Sequence, residues 1–194
     1  MTRKPEPKIG SVALDSPFAL APMAGMTDTG TPENAAEPTT RSDRVFLCVI
    51  DSSEELHVAL RFAAQRARRT GGRVALLHVM EPGDFQHWKA VAEKMREERR
   101  EEAEQVLLAR AAEVIAITGD MPSLYVREGN PSYVILTLIA EEPSISILVL
   151  GAGTGSKGPG PLVSSLAGKM SGRFPIPITV VPGNLTDEQL DGLT

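Results

Sequence analysis

The chain repeats one pattern: a short, continuously apolar run followed by a longer segment with helical spacing. The repeat begins at Arg44 and gives the order β-α-β-α-β-α-β-α-β. Continuous apolar runs are typical of strands buried on both faces. Their alternation with helices predicts an α/β fold, a five-stranded parallel sheet with helices on both faces. The strands are predicted at Val45–Ile50, Arg73–Val79, Leu124–Val126, Ile145–Leu150 and Ile176–Val181.

The helices between these strands are predicted from apolar spacing and from the residues at their ends. The first begins after Asp51 with Ser52 or Ser53 as its cap, and Gly71-Gly72 stops it. The centre of the second, Arg96–Glu104, is almost all charged, which favours a solvated face with side-chain ion pairs. The second helix as a whole is predicted at Phe85–Ile117, the third at Tyr133–Glu142 and the fourth at Leu162–Arg173. The capping-box sequence Thr186–Gln189 predicts a short helix near the C-terminal end.

Residues 1–43 differ in composition from the rest. Six of the 15 prolines lie there, and the stretch Thr27–Thr40 is polar. Such a segment buries too little apolar area to offset the entropy cost of ordering. We therefore predict that residues 1–43 are a mostly disordered extension and linker, that residues 44–183 form the α/β domain, and that residues 184–194 form a short tail or helix.

Composition argues against several classes of protein. Lys and Arg number 20 and Asp and Glu 25, a net charge of −5, and aromatic residues are 4%, so a nucleic-acid partner is not expected. The single cysteine excludes an internal disulfide and a zinc site of several thiolates. Cys48 lies in an apolar run and is predicted to be a buried, inert thiol. No apolar run reaches membrane-spanning length, so we expect a cytoplasmic protein without a membrane partner.

The topology predicts where a ligand would bind. Ligands of parallel sheets bind beyond the carboxyl ends of the strands, where strand order reverses. This places the candidate site at Asp51, Val79–Glu81, Gly129-Asn130 and the loop from Gly151 onward.

The loop Gly151–Gly160 is the most informative of these segments. Its glycines would let backbone amides approach a phosphate, and Lys157 would add positive charge. It lacks the P-loop sequence and holds only a fragment of the dinucleotide fingerprint, so a surface loop without a ligand stays an alternative.

Two further side chains have alternative interpretations. Asp51 could cap the first helix, or it could hold a metal ion or a ribose hydroxyl. His78, inside a predicted strand, is interpreted as a hydrogen-bonded core histidine. No acid–base or nucleophile–base pair is recognisable, so no catalytic residue and no metal ligand are assigned, and an enzyme is not expected.

Arg44–Pro182 resembles a universal stress protein domain. The resemblance rests on the order and spacing of short segments along the chain. They are Val49–Glu54, Leu76–Pro82, Glu128–Pro131, Ile147–Gly151, Ser164–Ala167 and Pro175–Val181.

This resemblance implies a flavodoxin-like, Rossmann-like strand order of 3-2-1-4-5 and a homodimer. The ATP-binding members carry the pattern G-x2-G-x9-G-S/T after the fourth strand. Here Gly151 matches the first glycine and Ser165 the hydroxyl residue, while Thr154 and Ser164 replace the other two glycines. The resemblance places Asp51 near ribose and phosphate and Val79 against adenine. The complete set of implied nucleotide contacts is Asp51, Ser52, Val79, Gly129, Gly151, Gly153, Gly155, Ser164 and Ser165.

Three functions follow in order of preference. The first is a non-catalytic stress-response module that binds ATP or another adenine nucleotide, with Mg²⁺ as a companion of the phosphates. The second is a dimeric protein-interaction module of the same fold that binds no nucleotide. The third is a slow ATPase. On the first hypothesis, we expect Gly151→Val to abolish nucleotide binding and to leave the melting temperature nearly unchanged.

A second resemblance lies outside the predicted domain. Ile9–Asp28 resembles the opening of a tRNA-dihydrouridine synthase, where this stretch forms the first barrel strand and its Pro-Met-Ala section contacts FMN. An isolated first strand cannot assemble a flavin site, and no barrel of about 250 residues follows. We therefore expect neither FMN nor tRNA modification.

The fifth strand predicts how a dimer would form. The strand order leaves it at the edge of the sheet, where an apolar strand invites pairing with another chain. Pro175, Pro177 and Pro182 limit the pairing to Ile178–Val181. We expect this contact to bury Val180 and Val181 between the subunits.

Overall fold

The structure is a computed structural model that describes residues 44–82 and 89–194. Its five strands form one parallel sheet in the order β3-β2-β1-β4-β5, which confirms the predicted fold class and strand order. The strands are β1 (Val45–Ile50), β2 (Arg73–Met80), β3 (Ser123–Glu128), β4 (Ile145–Ala152) and β5 (Ile178–Pro182).

The central strand β1 explains why its sequence is apolar without interruption. All six of its residues are buried, because both faces of the sheet are covered by helices. On one face, Phe46 and Cys48 pack among residues of α1 (Leu56–Thr70), α2 (Lys89–Thr118) and α5 (Asp187–Leu193). On the other face, Leu47 packs among residues of α3 (Pro131–Glu141) and of the segment that follows β4.

That last segment is not the continuous helix Leu162–Arg173 that the sequence predicts. It consists of one helical turn, α4 (Pro161–Val163), a π-helical stretch over Ser164–Lys169, and a 3₁₀ turn over Ser171–Arg173. The amide of Met170 donates to the carbonyl of Ser165 at 3.0 Å, five residues back. Such a widened turn is typical of π-helical insertions, which the spacing of apolar residues does not reveal.

Several predicted helix ends and surface features are confirmed. Gly71 ends α1 in the left-handed conformation, with φ 67°, and its amide donates to the Ala67 carbonyl. Thr186 and Gln189 form the predicted capping box of α5. The charged stretch of α2 carries an exposed ion pair between Arg100 and Glu104 at 3.1 Å.

The fifth strand begins later than predicted. It starts at Ile178 rather than Ile176, because Pro177 has no amide hydrogen for the ladder and uses its carbonyl to accept from Leu148 at 3.0 Å. The strand lies at the edge of the sheet as expected. Val181 is only 2% exposed and packs in the core beneath α1, so the prediction that a dimer contact buries Val181 is wrong.

Some predictions fall on residues that the structure does not describe. The expectations for residues 1–43, including the resemblance of Ile9–Asp28, lie outside the described residues, and so does the predicted start of the second helix at Phe85. In the described ranges, no helix is both long and apolar enough to cross a membrane.

Candidate functional site

The carboxyl ends of the five parallel strands lie at one end of the sheet, here called the carboxyl edge. Asp51 lies there, directly after β1. Its carboxylate accepts hydrogen bonds from the amide and the hydroxyl of Ser53, at 3.0 and 2.6 Å. Both bonds close a short turn before α1, and Ser52 is exposed within it. The N-cap of α1 is Glu55 and has no side-chain capping bond, so the prediction that Ser52 or Ser53 caps this helix is wrong.

The physical reason for that difference is that the Asp51 carboxylate binds the hydroxyl and the amide of Ser53. Short polar side chains readily bond the backbone two residues away, which stabilises a turn rather than a helical start. Of the alternatives for Asp51, a cap of the first helix is therefore excluded. Its carboxylate remains exposed at the edge where a ligand of the sheet would lie.

The second and third strands end side by side at this edge. Val79 is half-buried and packs against the α3 side of the core. The amide of Gly129 donates to the carbonyl of Met80 at 3.0 Å, which joins the ends of β3 and β2. Gly129 has φ +144°, a conformation that side chains disfavour. Asn130 then caps α3 by accepting from the amide of Ser132 at 3.1 Å.

His78, on the opposite face of β2 from Val79, differs from its prediction. The residue is half-buried, but its Nδ1 is a buried atom without a hydrogen-bond partner among the described residues. The interpretation as a hydrogen-bonded core histidine is therefore wrong for this nitrogen.

The loop after β4 has two parts with different surroundings. Gly151 still pairs with Val181 in the sheet, and Gly151 and Gly153 lie tightly against Glu55. From Thr154 to Lys157 the loop is exposed, and no atom lies within 4 Å of the position of a Cβ on Gly155. Only the second part thus leaves room for a ligand at the positions that a side chain would occupy.

Ser164 and Ser165 lie in the π-helical stretch beyond this loop. The amide of Ser164 donates to the carbonyl of Gly160 at 3.1 Å, and its side chain is exposed. The hydroxyls of Ser165 and Ser132 are 3.2 Å apart, which joins the segment after β4 to the start of α3. The structure thus brings Ser165 to the first turn of α3, although Ser132 and Ser165 are far apart in sequence.

The candidate site as a whole is acidic. The segments that end the first four strands, residues 51–55, 81–82, 128–132 and 151–165, contain one basic residue, Lys157. Two arginines of α2 also reach this edge: Arg96 forms an ion pair with Glu128 at 3.2 Å, and Arg99 donates to the carbonyl of Glu81 at 3.2 Å. In the described ranges, no group of three or more His, Cys, Asp or Glu residues is placed to hold a metal ion. The acidic residues of these segments are Asp51, Glu54, Glu55, Glu81 and Glu128.

Sequence analysis missed Glu55 and Gly183 as residues of this edge, whereas it had included Asn130 with Gly129. Gly183 follows β5, its amide donates to the Ala152 carbonyl at 2.8 Å, and it lies against the side chain of Glu55. The signal in the sequence was the presence of glycines directly after both β4 and β5. Paired glycines at neighbouring strand ends indicate the close approach of another part of the chain as readily as that of a ligand.

Comparisons with known proteins agree with this architecture. A sequence model of the universal stress protein family matches residues 44–182, which span all five strands, and the chain belongs to that family. No curated protein matches the chain.

Solved structures show the same fold at low identity. Universal stress protein UspA from Lactobacillus plantarum is 22% identical, with a TM-score of 0.59, over 71% of this chain and 97% of that one. A universal stress protein in complex with cAMP is 16% identical, with a TM-score of 0.52, over 71% and 96%. A universal stress protein from Archaeoglobus fulgidus in complex with dAMP is 20% identical, with a TM-score of 0.50, over 71% and 95%.

Proposed function

We propose that this protein is a non-catalytic stress-response module that binds an adenine nucleotide at the carboxyl edge of its sheet. The observation that carries the proposal is the open part of the loop after β4, around Gly155, at the edge that also presents Asp51. Backbone amides of such a loop are the usual partners of phosphate oxygens. The two solved relatives with cAMP and dAMP support an adenine ligand for this family.

The proposed roles follow the resemblance residue by residue. The exposed carboxylate of Asp51 accepts from ribose hydroxyls, and the half-buried Val79 contacts the adenine ring. Amides of the loop around Gly155 and the hydroxyls of Ser164 and Ser165 bind phosphate. Mg²⁺ would accompany the phosphates rather than occupy a protein site of its own, and FMN has no part in this proposal.

We assign no catalytic step to this site. A nucleophilic hydroxyl needs a base within hydrogen-bond reach. The hydroxyls of Ser132 and Ser165 at this edge lie 3.2 Å from each other, so each has another hydroxyl rather than a base as its partner.

Titration calorimetry with AMP and with ATP on the wild type and two glycine variants tests the proposal. Gly155→Val places a branched side chain in the open part of the loop, and we expect the affinity for nucleotide to fall at least about tenfold. Gly172→Val is the matched control, because Gly172 is equally open but lies past the π-helical stretch, toward the other end of the sheet. Both variants should melt near the wild-type temperature. Equal affinities of all three proteins would remove the loop from the site.

The alternative, an interaction module without a nucleotide, has one structural observation in its favour. Side chains stand at Thr154 and Ser164, where the ATP-binding pattern has glycine, and both are exposed at the loop. Mass spectrometry of small molecules released from the purified protein separates the two functions. Release of an adenine nucleotide supports the proposal, whereas no release and no binding in the titration supports the alternative. Metal-dependent phosphate release that Asp51→Asn abolishes would instead indicate the slow ATPase.

A further inference from the structure

The side chain of Glu55 fills the space beside three glycines at the ends of β4 and β5. A Cβ on Gly153 would lie 2.5 Å from Glu55 Oε1, and a Cβ on Gly183 would overlap Glu55 Cγ. A Cβ on Gly151 would lie 2.8 Å from the carbonyl oxygen of Glu55. Gly151 and Gly153 therefore lack a side chain because Glu55 occupies the space that a side chain would fill.

The position of Glu55 is also one that attracts anions. Glu55 is the N-cap of α1, and its carbonyl accepts from the amide of Ala59 at 3.2 Å. The start of a helix carries a partial positive charge that favours a carboxylate or a phosphate. Here a carboxylate of the protein already lies between that helix start and the glycine loop.

A second phosphate group entering this region would meet like charge. Glu55 is half-buried, so its charge is screened less than that of an exposed carboxylate. The only base in the strand-end segments is Lys157, which is exposed on the loop. Two bases of α2 contact the ends of β2 and β3 rather than Glu55: Arg99 donates to the Glu81 carbonyl at 3.2 Å, and Arg96 pairs with Glu128. Nothing in these segments balances several phosphate charges next to Glu55.

From these contacts we infer that Glu55 determines the specificity of the proposed site and excludes polyphosphates. The ligand is then an adenine compound with no more than one phosphate group, a nucleoside, a nucleoside monophosphate or a cyclic monophosphate. The inference rests on the proposed function, because it concerns which adenine ligand the same edge accepts.

The experiment compares AMP with ATP on the wild type, Glu55→Gln and Glu54→Gln, each with and without magnesium. Glu55→Gln removes the charge and keeps the shape, and Glu54→Gln makes the same charge change one residue away, at an exposed side chain that the glycines do not contact. The wild type should bind AMP about tenfold more tightly than ATP. Glu55→Gln should raise the affinity for ATP about fivefold or more, which is the effect of removing one like charge at a separation of about 4 Å in water. It should leave the affinity for AMP within about twofold, and Glu54→Gln should change neither affinity.

Four outcomes would contradict the inference, and they differ in what else they overturn. If the wild type binds ATP as tightly as AMP, or if Glu55→Gln leaves or lowers the affinity for ATP, Glu55 does not exclude polyphosphates and the proposed function stands. If neither nucleotide binds any of the three proteins, the proposed function fails and the inference with it. Glu55→Asp, which keeps the charge on a shorter side chain, should discriminate as the wild type does, and an ATP gain equal to that of Glu55→Gln would contradict a role for the charge.

Discussion

At position 151 the packing of the chain itself requires glycine, whether or not a ligand binds there. Gly151 pairs with Val181 in the sheet while the backbone of Glu55 passes over it. A Cβ there would meet a backbone oxygen at 2.8 Å, which cannot rotate away as a side chain can. The expectation that Gly151→Val leaves the melting temperature unchanged is therefore wrong, and loss of binding in that variant would not identify a phosphate site.

We predict that Gly151→Ala lowers the free energy of unfolding by about 1–3 kcal/mol, the usual cost of overpacking. Gly155→Ala is the control, because Gly155 has open space around its Cα, and its stability should stay within about 0.5 kcal/mol of the wild type. Urea unfolding of the three proteins measures both values. Equal stabilities for the two variants would show that Glu55 moves away from Gly151 at little cost.

Cys48 is the second residue whose surroundings decide its chemistry. It is fully buried in the core between β1 and α1, which confirms the prediction of a buried thiol. Burial raises the pKa of the thiol from 9.0 to about 12, and the negative charge of Asp51 adds to the effect. The thiolate is the reactive form, so the folded protein protects this cysteine from oxidation and alkylation.

The raised pKa of Cys48 predicts a loss of stability in alkali. Below pH 9 the thiol is protonated in both states and its contribution to stability is complete. Between pH 9 and 12 the unfolded chain loses the proton that the folded chain keeps, so the free energy of unfolding falls by up to about 1.4 kcal/mol per pH unit. Urea unfolding from pH 8 to 11 should show this slope in the wild type.

Cys48→Ala isolates the contribution of the thiol, because other groups that titrate in alkali, such as Tyr125 with its raised pKa, are common to both proteins. The variant should lose less stability than the wild type over the same range. A thiol reagent at pH 8 should react with the folded wild type only at the rate of unfolding. Parallel pH profiles, or fast labelling of the folded protein, would contradict the buried thiol.

At the scale of elements, α5 is attached to the domain by polar bonds rather than by apolar area alone. Gln65 of α1 is 4% exposed and donates to the carboxylate of Asp191 at 2.6 Å. Gln65 also accepts from the hydroxyl of Thr194 at 3.2 Å, and Arg66 donates to the carbonyl of Thr194 at 2.9 Å. Leu190 is the apolar contact of the same helix and is 1% exposed.

We predict that Gln65→Leu detaches α5 without unfolding the sheet. The variant removes the bonds of Gln65 to Asp191 and to Thr194, while the Thr194 hydroxyl keeps its bond to the Leu190 carbonyl at 3.0 Å. The loss of these two bonds costs about 1–2 kcal/mol. Hydrogen exchange should show faster exchange of the Leu190 amide, which donates to Thr186 at 2.9 Å, with β1 protected as before. Gln105→Leu, an exposed position on α2, is the control and should exchange like the wild type. Unchanged exchange in α5 would show that Leu190 and the bonds of Arg66 and Arg61 to this segment hold the helix without Gln65.

The elements also show how far sequence patterns determine local structure. Strand β1 was predicted to the residue, because burial on both faces leaves a continuous apolar run with sharp ends. The start of α1 was predicted wrongly, because a turn closed by Asp51 and Ser53 uses the same residue types as a helix cap. The π-helical stretch over Ser164–Lys169 was missed because it changes hydrogen bonding without changing composition.

For the whole molecule, topology predicted the location of the candidate site but not its contents. Parallel strands bring Asp51, Gly129 and Gly151 to one edge whatever the side chains do. The placement of Glu55 among Gly151, Gly153 and Gly183 depends on the exact approach of α1 to two distant strands. Such long-range packing leaves only a weak trace in a single sequence, the glycines themselves.

The free edge of β5 leads us to propose a homodimer formed through this strand. Val180 is 38% exposed, and Val181, on the opposite face, is already buried within the chain, so Val180 replaces the predicted pair as the residue that a partner covers. The ladder groups of Ile178–Val181 on the free side can pair with the same segment of a second copy about a two-fold axis, which gives a closed dimer rather than a fibre.

We expect the wild type to sediment as a dimer at micromolar concentration and Val180→Lys to sediment as a monomer, because the variant brings two like charges together at the axis. Val106→Lys is the matched control: Val106 on α2 is 41% exposed and far from β5 in the strand order, so this variant should remain a dimer. Both variants should melt near the wild-type temperature, since each position is already open to solvent in the single chain. A wild type that sediments as a monomer would contradict the dimer. A Val180→Lys variant that stays dimeric would show that the dimer forms through another surface.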